Sequence, residues 1–160
     1  MGTAEREARK QNLAMSRDSL DLAFRLLFCS IFIGLGAEHL LDDTLTRRLM
    51  PEWMPYPRIV SIFSGLVLAT GGVLVALGCQ LRLAASLLGG FLVLATALAH
   101  GPALFAPAPV ASEEDAWIWV ILQRSNFAKN LCLLGVCLLL WRYEPGRWSL
   151  AAGRKAGRRV

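Results

Sequence analysis

Residues 34–57 read Gly-Leu-Gly-Ala-Glu-His-Leu-Leu-Asp-Asp-Thr-Leu-Thr-Arg-Arg-Leu-Met-Pro-Glu-Trp-Met-Pro-Tyr-Pro. The stretch starts inside an apolar run, sets Glu38 beside His39 near the end of that run, and turns through the acidic corner Asp42-Asp43. A short amphipathic piece follows, then three prolines interleaved with Trp53, Met54 and Tyr56. Asp42, Asp43 and Thr44 are suited to cap a short helix through Met50. Pro51, Pro55 and Pro57 then forbid regular helix and favour an extended path. Leu45, Leu49, Trp53, Met54 and Tyr56 suit the headgroup zone of a bilayer, where amphipathic aromatics collect. The apolar run before this loop therefore reads as a membrane span, and the loop as its outer connection.

Working outward, the chain is 160 residues long and 55% hydrophobic. Apolar runs of about 20 residues can cross a hydrocarbon core of about 30 Å, and four occur, at about 20–41, 59–79, 83–105 and 125–142. The predicted fold is all-α: a four-helix transmembrane bundle of antiparallel up-down topology, with a short interfacial helix and the Pro/aromatic outer loop. Residues 1–19 form a polar cytoplasmic N-terminal lead, 20–142 the four-span membrane domain, and 143–160 a basic cytoplasmic tail. So little chain remains outside the membrane that a separate soluble catalytic domain is excluded.

Charge orients the bundle. With both termini cytoplasmic, as in a bacterial-type inner membrane, the inner side holds eleven Lys and Arg residues and the outer side five, with Arg25 inside the first span. The basic tail suits anionic lipid. Nucleic acid is disfavoured as a partner, since no basic patch with interleaved aromatics accompanies the tail. Cys29, Cys79, Cys132 and Cys137 lie in apolar runs without Cys-x-x-Cys spacing, and read as small buried hydrophobes.

Small residues mark helix contacts. Ser61, Gly65 and Ala69 recur at four-residue spacing in the second span, and Ala85 with Gly89 and Ser86 with Gly90 in the third. Cys79-Gln80-Leu81-Arg82 joins those two spans as antiparallel neighbours. Arg25, Phe32 and His39, seven apart, share one face of the first span. Pro107 and Pro109 and the acidic run Glu113-Glu114-Asp115 lead into the last segment. There a short interfacial piece anchored by Trp117 and Trp119 is expected to precede a fourth span starting near 125. Gln123, Asn126 and Asn130 share one face of that helix and are expected to face the bundle.

Up-down topology puts His39 and His100 at one outer level, with Glu38, Arg124, Asn126, Lys129 and Asn130. Glu38 and His39 are the candidate catalytic pair. His39, His100, Lys129 and Asn130 are the candidates for holding a cofactor, because a quinone ring needs hydrogen-bond donors at its carbonyls and a proton route. Haem between His39 and His100 is disfavoured, and so is a metal site from Glu38, His39, Asp42 and Asp43.

The residues also resemble the DoxX family of small four-span membrane proteins. The likeness is carried by Arg25, by Gly36-Ala37-Glu38-His39-Leu40, and by Met50-Pro51-Glu52-Trp53-Met54-Pro55-Tyr56-Pro57. Ser64-Gly65, Leu81-Arg82-Leu83-Ala84-Ala85 and Phe127-Ala128-Lys129-Asn130-Leu131 add to it, so that it spans about residues 22–142. The resemblance implies a subunit or accessory of a membrane quinone-linked redox system. Some relatives are subunits of a thiosulfate:quinone oxidoreductase, and others are accessory partners of redox or stress proteins. A non-enzymatic assembly or stabilising subunit of a larger membrane complex is the alternative. Either role implies lipid contact and a protein partner or a homo-oligomer, and leaves open whether the chain catalyses anything itself. Relatives often carry a glutamate three residues after the second-span glycine, where this chain has Leu68.

Overall fold

The computed structural model describes residues 3–51, 53–106 and 113–157. Pro107, Pro109, Glu52 and the tail's Arg158 and Arg159 lie outside the described residues. So do the side chains of Leu45, Leu49, the 113–115 acidic run, Arg154 and Lys155. Among the described residues every regular element is a helix: α1 (Thr3–Leu41), α2 (Thr44–Leu49), α3 (Pro57–Ala76), α4 (Leu81–Ala95), α5 (Gly101–Ala103), α6 (Glu113–Leu140) and α7 (Leu150–Gly157). A π-helical turn at Thr96–His100 joins α4 to α5.

Among the described residues three segments are long and apolar enough to cross a membrane: Met15–Leu41, Pro57–Ala76 and Leu81–Ala103. The polar lead and the first span form one uninterrupted helix, α1. The expected break near 124 does not occur. No proline or glycine interrupts 113–134, so nothing in the chain opposes a continuous α6. At 28 residues it is about 42 Å long, but Gln123, Arg124, Asn126, Lys129 and Asn130 interrupt its apolar run.

The closest approach of backbone to backbone lies between α1 and α3, not between the two helices joined by the short turn. A Cβ on Gly36 would come within 2.8 Å of the Ala69 nitrogen and 3.0 Å of the Gly65 oxygen, and one on Gly65 within 2.9 Å of His39 Cβ. Removing side chains at these positions lets the two backbones touch, and dispersion contacts at that distance hold helices together in lipid. The α4 small residues divide. Gly89 faces Cys137 and Leu134 of α6, whereas Gly90 has open space. Between these seams Phe28, Phe32, Leu68, Leu88, Leu92 and Leu140 form the buried core. Along α1 the Phe24 ring stacks on Phe28, and Phe28 meets Phe32 edge to face. Cys29, Cys79 and Cys137 are buried as expected, but Cys132 is exposed: it lies on the α6 face turned away from α4.

The loop between α2 and α3 is a turn where an extended path was expected. The Met54 N–H bonds the Pro51 carbonyl at 3.0 Å, and Tyr56 takes a left-handed conformation (φ 51) ahead of Pro57 at the start of α3. Trp53 and Tyr56 are exposed.

At the opposite end Arg25 is fully buried rather than snorkelling to the interface. Its Nε bonds Asp21 Oδ2 at 3.1 Å, its Nη1 the Ala76 carbonyl at 2.6 Å and its Nη2 the Trp148 carbonyl at 2.6 Å. Helix α3 ends in a Schellman motif, with Cys79 N–H on the Leu74 carbonyl, Gly78 N–H on the Val75 carbonyl, and Gly78 at φ 60. The Leu150 N–H takes the Leu77 carbonyl at 3.0 Å. The segment after α6 is thus pinned beneath α1 and α3, and Asp18 secures it further by accepting the Arg147 N–H at 3.2 Å.

Two substitutions test this account. Arg25→Met leaves Asp21 and two carbonyls without their donor, and should lower stability by roughly 3–5 kcal/mol in equilibrium unfolding in detergent. Gly65→Val should cost roughly 1–3 kcal/mol by overpacking, whereas Gly90→Val should leave the same unfolding curve unmoved.

Candidate functional site

His39 lies near the end of α1, where the close α1–α3 seam brings it against the first turns of α3. Its Nδ1 is 3.1 Å from Ser61 Oγ, and the Ser61 hydroxyl reaches the His39 carbonyl at 3.4 Å. A hydroxyl that donates to that carbonyl accepts from Nδ1–H. The pairing therefore selects the tautomer that leaves Nε2 as a proton acceptor. Ser61 is fully buried, His39 half-buried. The imidazole meets the Phe91 ring of α4 edge-on, with centroids 6.3 Å apart. Glu38, the neighbouring residue, is also half-buried.

Beyond His39 the chain folds its acidic corner. Asp43 pairs with Arg47 at 3.0 Å, and its other carboxylate oxygen is buried without a hydrogen bond. Asp42 accepts the Thr44 N–H at 3.2 Å. Hydrogen bonds from Thr44 hold the Asp42 carboxyl below its ordinary range. Whatever order this turn contributes is therefore present above the unfolded-state value and lost as pH falls through the lowered one. These contacts account for both aspartates as parts of the turn into α2.

A second polar group sits between the π-helical turn and α6. His100 Nδ1 lies 2.7 Å from Gln123 Oε1, and Asn130 Nδ2 donates to Thr96 Oγ1 at 3.1 Å. Gln123 and Asn130 are buried, as the shared polar face of α6 predicts, and Asn126 is half-buried. Lys129 Nζ bonds Asn126 Oδ1 at 2.9 Å on the same helix, and Arg124 is exposed. The π turn has a local cause. Pro102 lacks an N–H and its ring would crowd the carbonyl four residues back. The Gly101 N–H bonds the Thr96 carbonyl instead, and a Cβ at 101 would lie 2.7 Å from that oxygen.

The single outer layer expected from the topology divides in two. His39 meets α4 at Phe91, nine residues before His100, which is about 13 Å along a helix axis. Each histidine has its own partners, and those of His100 are all on α6. Among the described residues no three His, Cys, Asp or Glu side chains gather to hold a metal ion. Two clefts, of about 210 and 430 Å³, lie at the far end of the bundle beside Arg82 and Arg142 and beside Asp18 and Asp21.

Sequence reasoning read Ser61 only as a packing residue and passed over Thr96. The available signals were the hydroxyl on the Gly65 face of α3 and the four-residue spacing from Thr96 to His100. Leu68 is fully buried in the apolar core, with no polar group in its place.

A substitution separates the two polar groups. Gln123→Leu leaves His100 without its partner and should cost about 1–3 kcal/mol in unfolding. The imidazole NMR signals of His39 should stay unchanged.

A family model described as DoxX matches residues 20–101, from the first span through His100. The expected likeness reached 142, so α6 and its Phe127–Leu131 motif lie outside the match. Comparison with curated proteins and comparison with solved structures each give no match.

Proposed function

Because the chain belongs to the DoxX family of membrane proteins, we propose that it serves as the membrane module of a quinone-linked redox system, with His39 as its proton-handling residue. The observation that carries this reading is the His39–Ser61 pair: an imidazole fixed at Nδ1, half-buried at the end of a membrane-spanning helix, with Nε2 left over. A quinone is a carrier of two electrons and two protons within the apolar phase. The donor set of His39 fits its carbonyls, since a protonated Nε2 donates to an oxygen and a neutral one accepts from a hydroxyl. Ser61 holds the ring in orientation. Glu38 exchanges protons between His39 and water, and the electrons come from a partner subunit. His100 and Asn130 serve the contact between the α4 turn and α6 in this reading rather than the ring, because each bonds across it, and Lys129 is held by Asn126 on its own helix.

The reading takes α6 as a fourth crossing, giving an up-down bundle with both termini cytoplasmic. Its length supports this, as does its run 131–140 against α4. Trp117 and Trp119 then lie at the outer interface. Arg124 and Lys129 lie in the outer half, within reach of headgroups.

A second reading, an assembly subunit without chemistry of its own, is favoured by a different observation. Two side-chain pairs, His100 with Gln123 and Asn130 with Thr96, each tie the π turn to α6 inside the bundle, as structural polar contacts do. Cells lacking the protein would then keep quinone-linked activity and lose assembled partner.

The experiment is quinone-analogue binding to the purified protein. His39→Leu should weaken binding at least tenfold, Ser61→Ala by a smaller factor, and His100→Leu not at all. Unchanged binding in His39→Leu removes the redox reading.

A further inference from the structure

The cleft of about 210 Å³ is formed where the turn between α3 and α4 meets the end of α6. Arg82, on the first turn of α4, and Arg142, just past the end of α6, both line it. Among the described residues no ion pair or side-chain hydrogen bond engages either guanidinium. Arg25, by contrast, spends all three nitrogens on protein acceptors. Glu144 also lines the cleft and has an interaction of its own. The buried Leu81 and Leu140 form an apolar floor, and Trp141 and Tyr143 stand at the same level.

The geometry points to a binding site for the phosphodiester of an anionic phospholipid headgroup, held between Arg82 and Arg142. Three features select this ligand. Guanidinium groups present paired N–H donors that match phosphate oxygens. The volume equals about seven liquid waters, room for one headgroup and not for an acyl chain, which the apolar floor would direct outward along α4 and α6. The depth is that of lipid phosphate: the third membrane-crossing segment begins at Leu81, so Arg82 sits at the edge of the hydrocarbon, with aromatic residues beside it. Basic pockets between membrane helices take acidic lipid headgroups for these reasons. The site is separate from His39, which packs against the other end of α3, so its test is independent of quinone chemistry.

The test is native mass spectrometry of the full chain in mild detergent, titrated with dioleoylphosphatidylglycerol and, separately, with dioleoylphosphatidylcholine. The wild-type protein should retain phosphatidylglycerol in preference to phosphatidylcholine, and Arg82→Gln/Arg142→Gln should weaken that retention about tenfold or more. Arg48→Gln/Arg58→Gln removes equal charge from two exposed positions at the other end, and should stay within about twofold of wild type. Equal losses in both variants would mean bulk charge alone and would overturn the site. Displacement of phosphatidylglycerol by dilute inorganic phosphate would overturn the lipid assignment in favour of a soluble phosphate. Should the glutamine variant not fold, Arg82→Lys/Arg142→Lys keeps the charge and loses the paired donors. An intermediate loss is then expected, and wild-type retention would refute the proposal.

Discussion

A buried guanidinium governs the lower half of this bundle. The last carbonyls of a membrane helix have no intrahelical donors, and in lipid no water replaces them. Helix α3 places all of its own. Leu74 and Val75 are taken by the Schellman turn, Leu77 by the Leu150 N–H, and Ala76 by Arg25. The same arginine reaches Trp148 and Asp21, so one residue of α1 closes α3 and fixes the chain that follows α6. Its charge is tolerated at full burial because every nitrogen has an acceptor and one of these is a carboxylate.

The upper half depends on the α1–α3 seam. Gly36, Gly65 and Ala69 let the backbones meet, and that closeness delivers His39 to Ser61. Packing thus sets the chemistry of the imidazole: separation of the helices by one methyl group would move the hydroxyl away from Nδ1 and free the ring's orientation. The α4–α6 seam is held differently, by side chains long enough to bridge a wider gap, with the π turn presenting Thr96 and His100 to Asn130 and Gln123. The bundle therefore has one contact made of backbone and one made of polar side chains.

Much of this was legible in the residues. Of the four runs read as spans, three coincide with helices long and apolar enough to cross; the spacing of Arg25, Phe32 and His39 gave the inward face of α1, and the spacing of Gln123 and Asn130 gave that of α6. The failures have physical causes. Charges near 124 suggested a break, but continuous helix satisfies its own backbone, and no residue there prevents it. The prolines of 51–57 suggested extension, but Tyr56 turns the chain by entering the left-handed region. Equal depth for the two histidines assumed regular spans of equal length. His39 instead falls short of the level of His100, since α4 continues through its π turn for two turns beyond Phe91. The partners of Arg25 were invisible because they are carbonyls.

That last point reaches beyond geometry. A side chain that grips main-chain oxygen asks nothing of the residue identities at 76 and 148, only that the chain pass there. Variation at those two positions is decoupled from Arg25, so the contact leaves no paired signature in the letters of the sequence. His100 with Gln123, and Thr96 with Asn130, join side chain to side chain, and there a change on one helix does call for an answering change on the other. Two contacts of similar structural weight thus carry very different amounts of sequence information.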